Sequence, residues 1–66
     1  MTKKYLIYEG TADSMDEGDR FDSLKEAKER AQINVEEAAF MGLEGYLAHV
    51  IDTHTGQFIF TAGDRK

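Results

Sequence analysis

The chain has no cysteine, no proline and no tryptophan, and it is short of bases and of long apolar runs. Without cysteine, neither a disulfide nor a thiolate metal site can reinforce a domain of 66 residues. A domain of that size buries only about 60% of the surface its unfolded chain exposes. Oligomerisation is the remaining route to extra stability. The absence of cysteine also agrees with a reducing compartment. The apolar core of the opening MTKKYLIYEG is only four residues, too short for the apolar region of a signal peptide, and no 18-residue apolar run could span a membrane. The reading is a cytoplasmic protein without membrane contact.

Bases are outnumbered, 8 Lys+Arg against 13 Asp+Glu, for a net charge of −5. The excess is local. Glu9, Asp13, Asp16, Glu17, Asp19 and Asp22 are opposed between residues 9 and 22 only by Arg20, and the remaining acids and bases cancel. Direct nucleic-acid binding is disfavoured, because it depends on Lys and Arg neutralising phosphates. A basic protein surface is the better complement.

The segment KYLIYE, residues 4–9, is rich in aromatic and branched residues and reads as a strand ending at Gly10. Residues 10–22 hold two glycines and most of the acids, so a loop is expected, long enough to be functional. Ser23 and Glu26 form a capping box that opens a helix over 23–41. Leu24, Ala27, Ala31, Val35 and Ala38 make its core-facing stripe, and Gly42 stops it. Residues 46–53 and 57–62 read as strands joined through a turn ending at Gly56. The expected fold is α+β: a β-α-β-β order, with three strands and one helix on one face, and a right-handed crossover if the first two strands are parallel.

Both faces of that sheet are apolar. Tyr5 and Ile7 alternate with Leu6 and Tyr8; Leu47, His49 and Ile51 alternate with Tyr46, Ala48 and Val50; Phe58 and Phe60 fall opposite Ile59. One helix covers only one face. On the helix, Ile33 and Phe40 fall opposite Leu24, among glutamates. Either the helix is continuous and exposes both, or it breaks near Asn34, where Asn34-Val35-Glu36-Glu37 resembles a second capping box. In both cases apolar groups exceed what the elements can bury, which points to a homodimer or partner interface through Ile33, Phe40, Tyr5 and Ile7.

No catalytic constellation emerges, nor any cofactor site. Ser23 is committed to capping, and no histidine falls within argued reach of Ser14. His49 reads as a packing histidine and His54 as a solvated turn residue. His49 and Asp52 differ in strand parity, which argues against a metal site. Aligned as a calcium loop from Asp13, the chain would put Met15 and Leu24 at positions that need oxygen ligands. What remains is the three-residue spacing of Asp13, Asp16, Asp19 and Asp22. In a helical or 3₁₀ turn it would line up carboxylates about 5 to 6 Å apart, a row comparable to nucleic-acid phosphates.

With FDSLKEAKERA entering its helix and HVIDTHTGQFIF as its hairpin, this short acidic chain resembles small phage-encoded accessory proteins, among them anti-CRISPR and other anti-defence inhibitors. The likeness is one of architecture over residues 4–62. It implies a non-enzymatic inhibitor or adaptor that binds a host protein in the host cytoplasm, often at a nucleic-acid site. The expected contact residues are Glu9, Asp13, Asp16, Glu17, Asp19 and Asp22, with Glu29, Glu36 and Glu37 on the helix. The alternatives are an assembly homodimer acting through its apolar sheet face, and a small-ligand domain or enzyme.

Overall fold

The computed structural model describes residues 3–11 and 13–63. Within them the order is β1 (Tyr5–Thr11), β2 (Ser14–Phe21), α1 (Leu24–Phe40), β3 (Leu47–Asp52) and β4 (Gln57–Gly63). The class is α+β, but the sheet has four strands, in the order β2-β1-β3-β4, with every neighbouring pair antiparallel. The expected β-α-β-β topology with three strands is therefore corrected to ββαββ. No parallel crossover exists between β1 and β3, so the right-handed rule does not apply to them.

The fourth strand is the expected acidic loop. Tyr5 pairs with Phe21 and Thr11 with Ser14, so residues 14–21 run back along β1; Ala12, inside that expected loop, lies outside the described residues. The sequence SMDEGDRF has little strand propensity because it buries little: only Met15 and Phe21 are half-buried. An edge strand can form on backbone hydrogen bonds to its one neighbour, and charged side chains suit an unpaired edge. Gly10 permits the turn back. It sits at φ +149°, and a side chain there would strike the Ser14 carbonyl and come within 2.8 Å of Met15 Cα.

Ser23 caps α1, its hydroxyl accepting from the Glu26 amide at 3.4 Å. The helix then runs unbroken through Asn34 to Phe40, which decides between the two readings of that segment. It ends in a Schellman arrangement: the Leu43 amide donates to the Ala38 carbonyl and the Gly42 amide to that of Ala39, with Gly42 at φ +86°. The expected stripe faces the sheet. Ala27 and Ala31 are fully buried with Ile7, Ala48, Val50 and Ala62, and Tyr5, Phe21, Leu24, Val35 and Phe60 pack around them. Small alanines bring the helix close to the sheet and leave Ile7 and Val50 as the largest fully buried side chains.

The register settles which side chains share a face. Ile7 opposes Val50, and Val50 opposes Phe60, placing all three under the helix. Between Val50 and Ile51 the pairing slips by one residue, so Ile51 opposes Phe58 and Ile59 is the extra residue. Phe58 and Phe60 consequently point to opposite faces, not the same one as strict alternation predicts. The β3–β4 turn is tied by Asp52, whose Oδ1 accepts from the His54 amide at 2.9 Å while its carbonyl accepts from the Gly56 amide. Lys4 reaches Asp52 Oδ2 at 3.6 Å, and the Thr53 hydroxyl donates to the Lys4 carbonyl at 2.7 Å.

Candidate interaction surface

The carboxylates proposed from the sequence divide into three groups once folded. Asp13, Asp16, Glu17, Asp19 and Asp22 are exposed along β2 and its flanks. They do not form the close row expected of a helical turn. In an extended strand, residues three apart are about 10 Å apart, roughly twice that expectation. The pairing also slips opposite Ile7, where Gly18 and Asp19 together face one residue of β1. Arg20 lies 4.0 Å from Glu17 and offsets part of the strand's charge.

Glu9 forms the second group with residues not foreseen as functional. It lies on the helix side of β1, half-buried, and its Oε1 accepts a hydrogen bond from Asn34 Nδ2 at 2.9 Å. Burial pushes the Tyr46 phenol above its ordinary value, and the neighbouring Glu9 carboxylate, with Asp16 farther off, pushes it the same way. Glu9 is therefore a tethered carboxylate, distinct from the exposed acids of β2. Sequence signals for Asn34 and Tyr46 were weak, because their juxtaposition depends on how α1 lies across β1 and β3.

Helix carboxylates make the third group. Glu29, Glu36 and Glu37 are all exposed, and the last turn of α1 carries Glu37 with no compensating base. A carboxylate there faces the negative end of the helix dipole, a cost of about 0.3 to 1 kcal/mol. Beside it, Phe40 is 93% exposed and Met41 74%, with Ile33 and Leu43 partly exposed. Two grooves meet at Glu37 and Met41. One runs between Ile33, Glu36 and Phe40; the other passes beneath Glu37 towards Asp19, Glu9, Asn34 and Tyr46. The fold thus brings Glu9, Asp19, Glu36 and Glu37 together around an apolar ridge, and leaves Asp13, Asp22 and Glu29 outside both grooves.

The expected apolar interface is corrected in part. Ile33 and Phe40 are exposed as a continuous helix requires, whereas Ile7 is fully buried and Tyr5 packs against the core beneath α1. The face without a helix is the other one, where Leu6 is itself buried and Tyr8, His49 and Ile51 are half-buried. There His49 Nδ1 lies 2.8 Å from Thr61 Oγ1 and its ring meets Phe58 edge-on.

Fold and surface together define a small α+β domain with an acidic, aromatic-centred surface. No cluster of three or more potential metal ligands occurs among the described residues, and no helix there is long and apolar enough to cross a membrane. The chain matches no protein-family model, and no curated protein or solved structure matches it.

Proposed function

We propose that this chain is a non-enzymatic protein-interaction module: a small acidic inhibitor or adaptor, of the phage anti-defence kind it resembles, that binds a basic surface of a partner protein in the host cytoplasm. The observation carrying this reading is Phe40, 93% exposed on an acid-lined groove that meets a second one at Glu37 and Met41. A large aromatic held in water and a carboxylate at the wrong end of a helix each oppose folding stability locally. Such departures from local preference concentrate where a surface is shaped for contact. Phe40 would enter an apolar pocket of the partner, and Glu36, Glu37, Asp19 and Glu9 would meet its basic rim. The carboxylates of β2 extend that field and raise the association rate.

The test begins with capture of the partner on the immobilised chain, followed by calorimetric titration of the purified pair at several salt concentrations. Phe40→Ala is expected to weaken binding at least tenfold with little change in salt dependence. Replacing Asp13, Asp16 and Asp19 by Asn is expected to flatten the salt dependence as well as weaken binding. Unchanged affinity in both variants would sink the proposal.

A further inference from the structure

The sheet face opposite α1 has no covering element among the described residues, and it differs from the rest of the surface in charge. Its centre is an aromatic cluster: Phe58, 56% exposed, meets the Tyr8 ring at 6.3 Å and 83° and the His49 ring at 5.0 Å and 61°. The edge-on geometry and the His49–Thr61 contact hold these rings in place before anything docks. Leu6 and Ile51 fill the floor between them. Among the described residues its charges lie at the margins and are matched: Arg20 with Glu17, and Lys4 with Asp52.

We infer that this face docks on the same face of a second copy, giving a two-fold sandwich of two sheets with the helices outermost. Charge selects that occupant. Each copy carries −5, and both the β2 edge and the C-terminal half of α1 would oppose carboxylate to carboxylate if they met their own kind. The neutral sheet face lets two such chains meet without that repulsion. Aromatics on an open four-stranded sheet could also stack nucleic-acid bases, but among the described residues the nearby bases, Lys4 and Arg20, are paired, and the net charge of −5 opposes phosphate. The same net charge disfavours an anionic membrane surface.

The area places the contact in the weak class. Four strands about 4.8 Å apart and six residues at about 3.3 Å give a footprint of roughly 400 Å² per copy. About 800 Å² from the pair lies below the standard size of stable complexes and fits only a weak, reversible dimer. Packing the sheets about 10 Å apart would also add a second apolar layer to a core whose largest fully buried side chains are Ile7 and Val50.

Sedimentation equilibrium from about 10 µM to 1 mM, a range suited to a weak dimer, tests this on the intact chain. The average mass should rise from 7.5 kDa towards twice that value. Phe58→Lys should raise the dissociation constant at least tenfold, whereas Phe40→Lys should leave it unchanged. Should Phe58→Lys fail to fold, NMR spectra of the unmodified protein on dilution decide: side-chain signals of Tyr8, His49 and Met15 should shift with concentration. A monomer at every concentration overturns the inference. So does dissociation by Phe40→Lys alone, which would place the contact on the helix. Concentration-dependent protection of β4 amides with Tyr8 unmoved would also overturn it, since that outcome describes edge pairing.

Discussion

Ile7 and Phe40 are both large apolar residues, and sequence pattern alone assigned both to one interface. Their burial predicts opposite responses to truncation. Ile7 has no exposed surface and lies against Val50, Ala27 and Ala31, so Ile7→Val removes one methyl from the tightest part of the core. Such a change costs about 0.5 to 1.5 kcal/mol. A domain of this length has an unfolding entropy of roughly 140 cal/mol/K, so each kcal/mol moves the melting temperature by about 7 °C and the expected drop is roughly 4 to 11 °C. The conservative variant is deliberate: total stability for a chain this size is about 3 to 10 kcal/mol, and Ile7→Ala, at about 2 to 5 kcal/mol, could leave no cooperative transition to measure. Phe40 at 93% exposure loses almost nothing on truncation. Alanine is the better helix former by about half a kcal/mol, so Phe40→Ala should hold or slightly raise the melting temperature. Differential scanning calorimetry at low protein concentration, where self-association is minimal, reads both. A Phe40→Ala protein that melts as far below the parent as Ile7→Val would refute the burial argument.

Two further perturbations probe the elements that sequence reading missed or left unexplained. Gly10→Ala forces a side chain onto the backbone of Ser14 and Met15 at a left-handed φ and should cost at least about 2 kcal/mol, whereas Gly42→Ala, with open space around it, should cost only the left-handed preference of about 1 to 2 kcal/mol; denaturant midpoints with matched slopes measure both. Stability should also fall at both ends of the pH range. Burial and then Glu9 raise Tyr46, so its contribution is complete below its unfolded value near pH 10 and is lost as pH rises through the higher folded value; Glu9→Gln should bring the ultraviolet-detected phenol titration down. Slight desolvation raises Asp52, but the His54 amide and the Lys4 ammonium outweigh it and leave the carboxyl lowered; its contribution is present above about pH 4 and is lost as pH falls through the folded value, a slope that Asp52→Asn should remove.

The sequence was most legible where side-chain burial and backbone conformation agree. The α1 stripe, its Ser23 cap, its Gly42 stop and the β3–β4 turn each carry their cause in the residues themselves, and all four occur as read. Legibility failed at β2, where the strand is held by main-chain pairing to β1 and its side chains are almost all in water. Nothing in SMDEGDRF distinguishes such an edge from a loop. It failed again at Phe58 and Phe60, because alternation assumes an uninterrupted ladder and one extra residue at Ile59 reverses everything beyond it. The groove around Glu37 was out of reach for a different reason: Glu9, Asp19 and Glu37 come from three elements, and only the placement of α1 over the sheet brings them together.

The edge position of β2 changes how its acids bear on function. An exposed strand edge invites pairing with other chains, and charged side chains are a common defence, so Asp16, Glu17 and Asp19 have a structural reason to be acidic whatever the protein binds. Their charge by itself is weak support for a binding role. Glu36 and Glu37 have no such reason: they lie on a helix, protect no edge, and Glu37 stands where the helix dipole disfavours it. Phe40, likewise, stabilises nothing in the isolated chain. The functional argument therefore rests more on the C-terminal half of α1 than on the acidic hairpin that dominates the charge of the sequence. If only one surface could be altered, Glu36, Glu37 and Phe40 would separate partner binding from the protection of a sheet edge more cleanly than any change in β2.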